Sequence, residues 1–334
     1  MAVKVGINGF GRIGRLAFRA MYDDPEVEVV AVNDIGSLAA VAHLLKYDTM
    51  YGRGFDEVEV VDDGFVADGY AVKYLNEKNP ANLPWGELGV EVVIEATGEF
   101  TSADAARAHI ESGAQRVIIT AASEGEDITI IAGVNHDDYD PAAHTIIAAG
   151  SSVTNCFAPV AKVLSDNFGV ERGYLNTIHS YANDQKILDL PHKNLRNARC
   201  ATMSMIPLPS LDARSVALAI PELEGKVDGF ITRGPTPGGA MADLTFELSR
   251  EVTIEEVNSV MLAAVEGEYA GIIDYTEDPI VSMDIIGESA SAIFDSKLTM
   301  VLGGQSNMIK VIAWYDNEWA YSCRIADLVG LMAE

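Results

Sequence analysis

Three glycines, Gly9, Gly11 and Gly14, stand between the apolar run VKVGIN and a helical pattern over Arg12 to Met21. The spacing suits phosphate chemistry. A residue without Cβ permits a tight turn at Gly9, a close backbone approach to a pyrophosphate at Gly11 and close helix–strand packing at Gly14. The helix N-terminus adds free N–H groups and the positive end of a dipole. Asp34 follows twenty residues after Gly14 and ends a second strand, VEVVAVN. A carboxylate there accepts hydrogen bonds from the adenosine ribose hydroxyls and repels a 2′-phosphate, so the pattern predicts NAD rather than NADP. The other use for Asp34 is as a helix N-cap.

A second group begins at Ser152, where a long helical pattern runs to about Asn167. A serine at that place is ordinarily an N-cap, and its hydroxyl attacks a carbonyl only when a base activates it strongly. Cys156 lies one turn on, on the same face and about 6 Å along the axis, and reads as a small buried side chain. His179 ends the strand-like run Tyr174 to Ser180. The three cysteines, Cys156, Cys200 and Cys323, are too scattered for a disulfide framework or a zinc site and fit a reducing compartment. Core or surface roles suit each of the six histidines except His179.

These groups must be held by a chain of 334 residues, a length that predicts about two domains, with 49% hydrophobic residues for their cores. Fifty acidic residues face 23 basic ones, for a net charge of −27. Such a surface repels nucleic acid and anionic membranes. Self-repulsion on this scale is relieved by salt, since the Debye length falls to about 3 Å near 1 M, and the composition therefore reads as that of a salt-adapted protein. No apolar run reaches membrane-spanning length and no secretory signal pattern opens the chain, so a cytoplasmic location is expected.

The first half alternates Val/Ile-rich runs with helical segments: VKVGIN, VEVVAVN, VEVVIEAT and RVIIT, the last two separated by an alanine-rich stretch from Ser102 to Ser112. That alternation predicts an α/β domain with a parallel sheet. Val58 to Tyr74, with its two Asp-Gly turns, predicts antiparallel ribbons inserted in it. Beyond Ser152 the strands lengthen and alternate: Thr232 to Leu248 with a PTPGG bend, Ile280 to Ile286, Ser291 to Leu298 and Met308 to Tyr315. An α+β domain with a mainly antiparallel sheet follows, closed by a helix from about Asn317 to Met332.

GSSVTNCFAP (Gly150 to Pro159) resembles the active-site turn A-S-C-T-T-N-C-L-A-P of the phosphorylating glyceraldehyde-3-phosphate dehydrogenases. The resemblance spans nearly the whole chain. It takes in VGINGFGRIGR, VND, LPW, EATGEF, AGVNHDDYD, HSYANDQ, DLPHKNLRNAR, PTP and WYDNEWAYS in order. It implies a Rossmann NAD-binding domain over 1–151 with a returning segment 317–334, and a catalytic domain over 152–316. It implies oxidation of a small phosphorylated or related aldehyde with NAD, and a homotetramer in which the loop Asp184 to Ile206 reaches a neighbour's cofactor site. Arg12 and Ile13 then join the three glycines at the pyrophosphate. Thr97, Gly98 and Thr120 line the dinucleotide further along, and Asn317 holds the nicotinamide carboxamide. The pair Leu190-Pro191 is similar to that of the NAD-preferring members. His179 falls on the family's base, and Ser151, Thr154 and Arg233 fall on positions that meet substrate or phosphate.

The family's nucleophilic cysteine falls on Ser152. A thiol serves there because its pKa of about 8.5 drops beside a histidine or a helix N-terminus, and because a thioester hands on its acyl group readily. The neighbours differ as well. Val153 and Ala182 stand where the family has threonines, and Asn197 stands where it has an anion-binding arginine. Ser210-Leu211 stands where it has Thr-Gly. A single engineered replacement of the cysteine would leave those positions unchanged; divergence accounts for all of them. Three readings follow. The chain is a dehydrogenase of this type altered at Ser152, a relative that oxidises a hydrated aldehyde through Ser152 and His179 without phosphorolysis, or a catalytically silent NAD-binding protein.

Overall fold

The computed structural model describes residues 2–210 and 212–333. The chain forms two compact units.

The first unit holds the residues up to Ile130, then Asp137–Ser151, then the chain from Ser322 on. Its nine-stranded sheet runs in the spatial order Ile128–Thr129, Ile146–Ala148, Arg116–Ile119, Val92–Glu95, Val3–Asn8, Val27–Asn33, Tyr70–Leu75, Gly64–Ala67, Val58–Val61. The pairings from Ile128–Thr129 through Tyr70–Leu75 are parallel. The last three strands pair antiparallel, as the two Asp-Gly signals implied. Asp68 (φ 44°) and Gly69 (φ 89°) both take the left-handed conformation that a tight hairpin requires. The central parallel strands Arg116–Ile119, Val92–Glu95 and Val3–Asn8 are almost fully buried, which explains their Val/Ile-rich composition. Trp85 underlies the sheet, and a Cβ on Gly6 would come within 2.7 Å of its ring.

The second unit holds Ile131–His136 and Ser152–Tyr321. Its sheet runs in the order Ile206–Pro209, Val227–Gly234, Val170–Ser180, Ala240–Thr253, Gln305–Tyr315, Ala292–Asp295, Ile273–Thr276, with Met300–Val301 added on Gln305–Tyr315. Most of its pairings are antiparallel; Val170–Ser180 with Val227–Gly234 and Ile273–Thr276 with Ala292–Asp295 are parallel. The helix Ser152–Phe168 packs on this sheet, burying Phe157, Val160, Ala161 and Leu164 against Leu244, Phe246 and Phe294.

Three expectations need correction. Ile280 to Ile286 is no strand: Val281 N donates to Asp284 Oδ2 (2.7 Å), folding the segment into turns that end at Gly287 (φ 89°). The closing helix is Trp319–Ala333, because Asp316 Oδ1 accepts from the N–H groups of Glu318 (2.9 Å) and Trp319 (3.0 Å) and starts it later. The unit boundaries also differ from those expected. Asp316 is tied to Gly287 N (2.8 Å), which keeps residues up to Tyr321 with the second unit. Ile131–His136 goes with that unit too, because Ile131 is buried in its core.

Candidate functional site

In the first unit four of the residues expected at the dinucleotide share one edge of the sheet. Thr120, Thr97, Gly9 and Asp34 each follow the carboxyl end of one of four adjacent parallel strands, Arg116–Ile119, Val92–Glu95, Val3–Asn8 and Val27–Asn33. From the Val3–Asn8 strand the chain winds first to one side and later to the other, so the topological switch point lies beside Gly9, where α/β sheets bind ligands.

Each glycine has the geometry its place demands. Gly9 takes φ 90°, and a Cβ there would come within 2.6 Å of Thr97 N. A Cβ on Gly14 would come within 2.2 Å of Gly9 O, so the helix Arg12–Met21 can approach the turn only without a side chain. A Cβ on Gly11 meets nothing within 4 Å, and that open face leaves room for a phosphate beside the helix N-terminus. Phe10 anchors the turn by packing on Phe18 (5.9 Å between centroids) and Phe65.

Asp34 is held by both oxygens: Phe10 N donates to Oδ2 (2.9 Å) and Gly36 N to Oδ1 (2.8 Å). The carboxylate keeps lone pairs for two further donors. It caps no helix; Ser37 is the N-cap of Leu38–Lys46. Thr97 is fixed by buried Glu95, which accepts from Thr97 N (2.8 Å), Asn8 Nδ2 (2.6 Å) and His109 Nε2 (2.9 Å). Trp85 Nε1 donates to His109 Nδ1 (2.9 Å), which assigns the ring hydrogen of His109 to Nε2. Thr120 Oγ1 donates to Glu95 O (3.0 Å). Gly98 takes φ 71°. Arg12 opens its helix and forms an ion pair with Asp48, and Ile13 follows it. That partnership was not visible in the sequence, and a pyrophosphate contact by Arg12 has to be shared with it.

In the second unit Ser152 is the first residue of Ser152–Phe168, with Ser151 just ahead of it; both are half-buried. Thr154 is fully buried and donates to Asp212 Oδ1 (3.1 Å). Cys156 is fully buried, and desolvation pushes its thiol far above the ordinary range. A thiol that stays protonated and inaccessible is a poor nucleophile.

The parallel register of Val170–Ser180 with Val227–Gly234 sets His179 opposite Arg233. His179 Nδ1 lies 2.8 Å from Ser180 O, and Arg233 Nη1 closes on the same nitrogen. A carbonyl only accepts and a guanidinium only donates, so the two compete for Nδ1. Donation to Ser180 leaves a lone pair on Nε2. Arg233 has an alternative acceptor in the same carbonyl (3.1 Å), which favours that tautomer. Burial, and then the charge of Arg233, lower the pKa of His179 to about 3, against a smaller pull from Ser180. The imidazole is therefore neutral near pH 7, with the Nε2 lone pair free to accept a hydrogen bond. Asn317 Oδ1 accepts from Ser180 Oγ (3.0 Å), which leaves the Asn317 amide N–H groups to donate elsewhere. Ser180, Tyr315 and Asp212 escaped the sequence reading. Tyr315 sits edge-on to His179 (6.0 Å, 75°) and hydrogen-bonds Thr177 (2.9 Å). The only sequence signals were the adjacency of Ser180 to His179 and the position of Tyr315 at a strand end.

Comparison with known proteins places both units in one family. A family model described as the glyceraldehyde 3-phosphate dehydrogenase NAD binding domain matches residues 3–103, and the C-terminal domain of the same family matches residues 151–317. The chain belongs to the glyceraldehyde-3-phosphate dehydrogenase family. Among its relatives, glyceraldehyde-3-phosphate dehydrogenase 2 of Streptomyces avermitilis is 53% identical over 329 residues, covering 98% of each chain. The glyceraldehyde-3-phosphate dehydrogenase of Geobacillus stearothermophilus is 52% identical over 333 residues, covering 100% of this chain and 99% of its own. The cofactor is NAD, and the family is one of oxidoreductases. Among the described residues no helix is long and apolar enough to cross a membrane.

Proposed function

We propose that this chain is an NAD-dependent dehydrogenase of the glyceraldehyde-3-phosphate type whose chemistry is altered by Ser152. The observation that carries the reading is the burial of Cys156: with that thiol sealed in the core, the hydroxyl of Ser152 is left at the position of the nucleophile. An alcohol of ordinary acidity favours a route without a covalent acyl group. Ser152 then holds an aldehyde hydrate by a hydrogen bond, and Nε2 of neutral His179 takes a hydroxyl proton from it. The gem-diol R–CH(OH)2 becomes the acid R–COOH, losing one hydride and one proton. NAD, when bound, supplies the hydride acceptor.

The cofactor roles are assigned as the family resemblance implies. Gly9, Gly11, Arg12, Ile13 and Gly14 hold the pyrophosphate, Asp34 the adenosine ribose, and Thr97, Gly98 and Thr120 the middle of the dinucleotide. Asn317 donates to the nicotinamide carboxamide, oriented by Ser180. Ser151, Thr154 and Arg233 serve the substrate side. The exposed apolar side chains of the loop that carries Ile187, Leu188, Leu195, Met203 and Met205 support a homotetramer, since solvent-facing residues of that kind want a covering partner. The net charge of −27 supports a salt-adapted protein with no affinity for nucleic acid or anionic membranes, and its location is taken to be cytoplasmic.

The test is NADH formation in high salt from glyceraldehyde-3-phosphate and other aldehydes, with and without inorganic phosphate. Phosphate-independent turnover is expected, together with loss of turnover in His179→Ala. A rate that requires phosphate refutes the noncovalent route. In Ser152→Cys the expected gain is a phosphate-dependent rate and a reactive thiol, read by alkylation mapped to position 152.

A further inference from the structure

Resting on that reading, a buried polar cluster in the second unit bears on what the site admits. Asp212 opens the helix Asp212–Ala219 and is only 5% exposed. Its carboxylate accepts from Thr154 Oγ1 (3.1 Å) on the helix that Ser152 begins, and from Ser210 Oγ. Asp212 N in turn donates to Ser210 Oγ (3.0 Å). Thr154 and Ser210 are hydroxyl donors, and here they are turned to an anion that the chain itself supplies. Leu211, between Ser210 and Asp212 in sequence, lies outside the described residues.

The neighbouring groups lean the same way. Arg233 pairs in register with Ile206, at the start of the strand that leads to Ser210. Its charge is set against the carboxylates of Asp184 and Asp212. Two carboxylates thus face the one guanidinium of Arg233. Asn197, 6% exposed, donates through Nδ2 to Asp184 Oδ2 (3.1 Å). A carboxylate only accepts, so that bond fixes the orientation of the amide, and Asn197 Oδ1 is left buried without a partner among the described residues. Arg233 Nε is likewise a buried donor without one. Each suits a hydroxyl, which can donate or accept. They suit an oxyanion poorly, because it has nothing to give Asn197 and is repelled by Asp212 and Asp184.

We infer that Asp212 provides this cluster with an internal anion that keeps inorganic phosphate out, and that the group of the substrate received there is an uncharged hydroxyl. The aldehyde is then hydroxyl-bearing and unphosphorylated at that end, and water, added as the hydrate before oxidation, supplies the second oxygen of the acid.

The experiment measures binding of inorganic phosphate to the full chain saturated with NAD, by phosphorus NMR line broadening at fixed KCl, for the parent, Asp212→Ala and Asp212→Asn. Removing one like charge at hydrogen-bonding range is expected to tighten phosphate binding about tenfold or more. Asn keeps the shape and loses the charge, so it decides the matter should the alanine variant not fold. In parallel, kcat/KM is compared for glyceraldehyde and its 3-phosphate, with the unphosphorylated aldehyde expected to be preferred. Equal phosphate affinity in parent and Asp212→Asn overturns the inference, as does a parent preference for the phosphorylated aldehyde. Tighter phosphate binding in Asp212→Asn with no NADH from any aldehyde upholds the role of Asp212 and refutes the dehydrogenase reading instead.

Discussion

Gly14→Ala and Gly11→Ala should separate packing from ligand approach within one six-residue turn. A Cβ on Gly14 falls 2.2 Å from Gly9 O and 3.2 Å from Ile7 Cγ2. An ordinary carbon–oxygen contact is about 1 Å longer, so the helix Arg12–Met21 must back away from the sheet. Overpacking of this kind costs about 1–3 kcal/mol, and it also withdraws the helix N-terminus from the pyrophosphate. At Gly11 a Cβ meets nothing within 4 Å, and its φ of −74° suits alanine. The only structural cost is the poorer N-cap, about 0.5–1 kcal/mol. Its methyl instead fills the space left for phosphate. Losing one charge-assisted hydrogen bond, about 1.5–3 kcal/mol, weakens binding roughly 10- to 100-fold. Urea unfolding gives the stabilities, and NAD titration gives the affinities. Gly14→Ala should lose both properties, whereas Gly11→Ala should lose mainly affinity. Gly11→Ala binding NAD as tightly as the parent would refute the assignment of this turn to the pyrophosphate.

Asp34→Ala should raise the Kd for NAD about tenfold or more and narrow the preference over NADP, because it removes both the ribose acceptor and the charge that repels a 2′-phosphate; an unchanged ratio counts against that role. His179 contributes a pH dependence whose sign is fixed by its depressed pKa. The unfolded chain binds a proton near pH 6.5 and the folded chain only near about 3, so stability is fully present above 6.5 and lost as the pH falls toward 3. Up to about 5 kcal/mol is at stake, and the difference in urea midpoints between the parent and His179→Gln across that window isolates it. Raising KCl from low to molar concentration should raise Tm, by about 2–4 °C for each kcal/mol of repulsion screened, and a flat or falling Tm would contradict the salt-adapted reading.

Local pattern alone carried the glycine turn, Asp34, the parallel strands and the helices Arg12–Met21 and Ser152–Phe168. Each depends on near neighbours in the chain: a residue without Cβ, a period of apolar side chains, a carboxylate at a strand end. The sequence also raised the problem at Ser152, because one atom type decides that chemistry. It erred at Ile280 to Ile286, where apolar alternation resembled a strand but the side chain of Asp284 turns the backbone aside. Tertiary structure decided which side chains meet. The Arg12–Asp48 pair, the claim of Arg233 on His179, the tie from Ser180 to Asn317 and the seat of Asp212 between Thr154 and Ser210 all join residues on different elements. Their pairing depends on strand register and helix placement. The protonation of His179 and the inertness of Cys156 belong to that level too, since both follow from removal of the groups from water, and burial is a property of the assembled core.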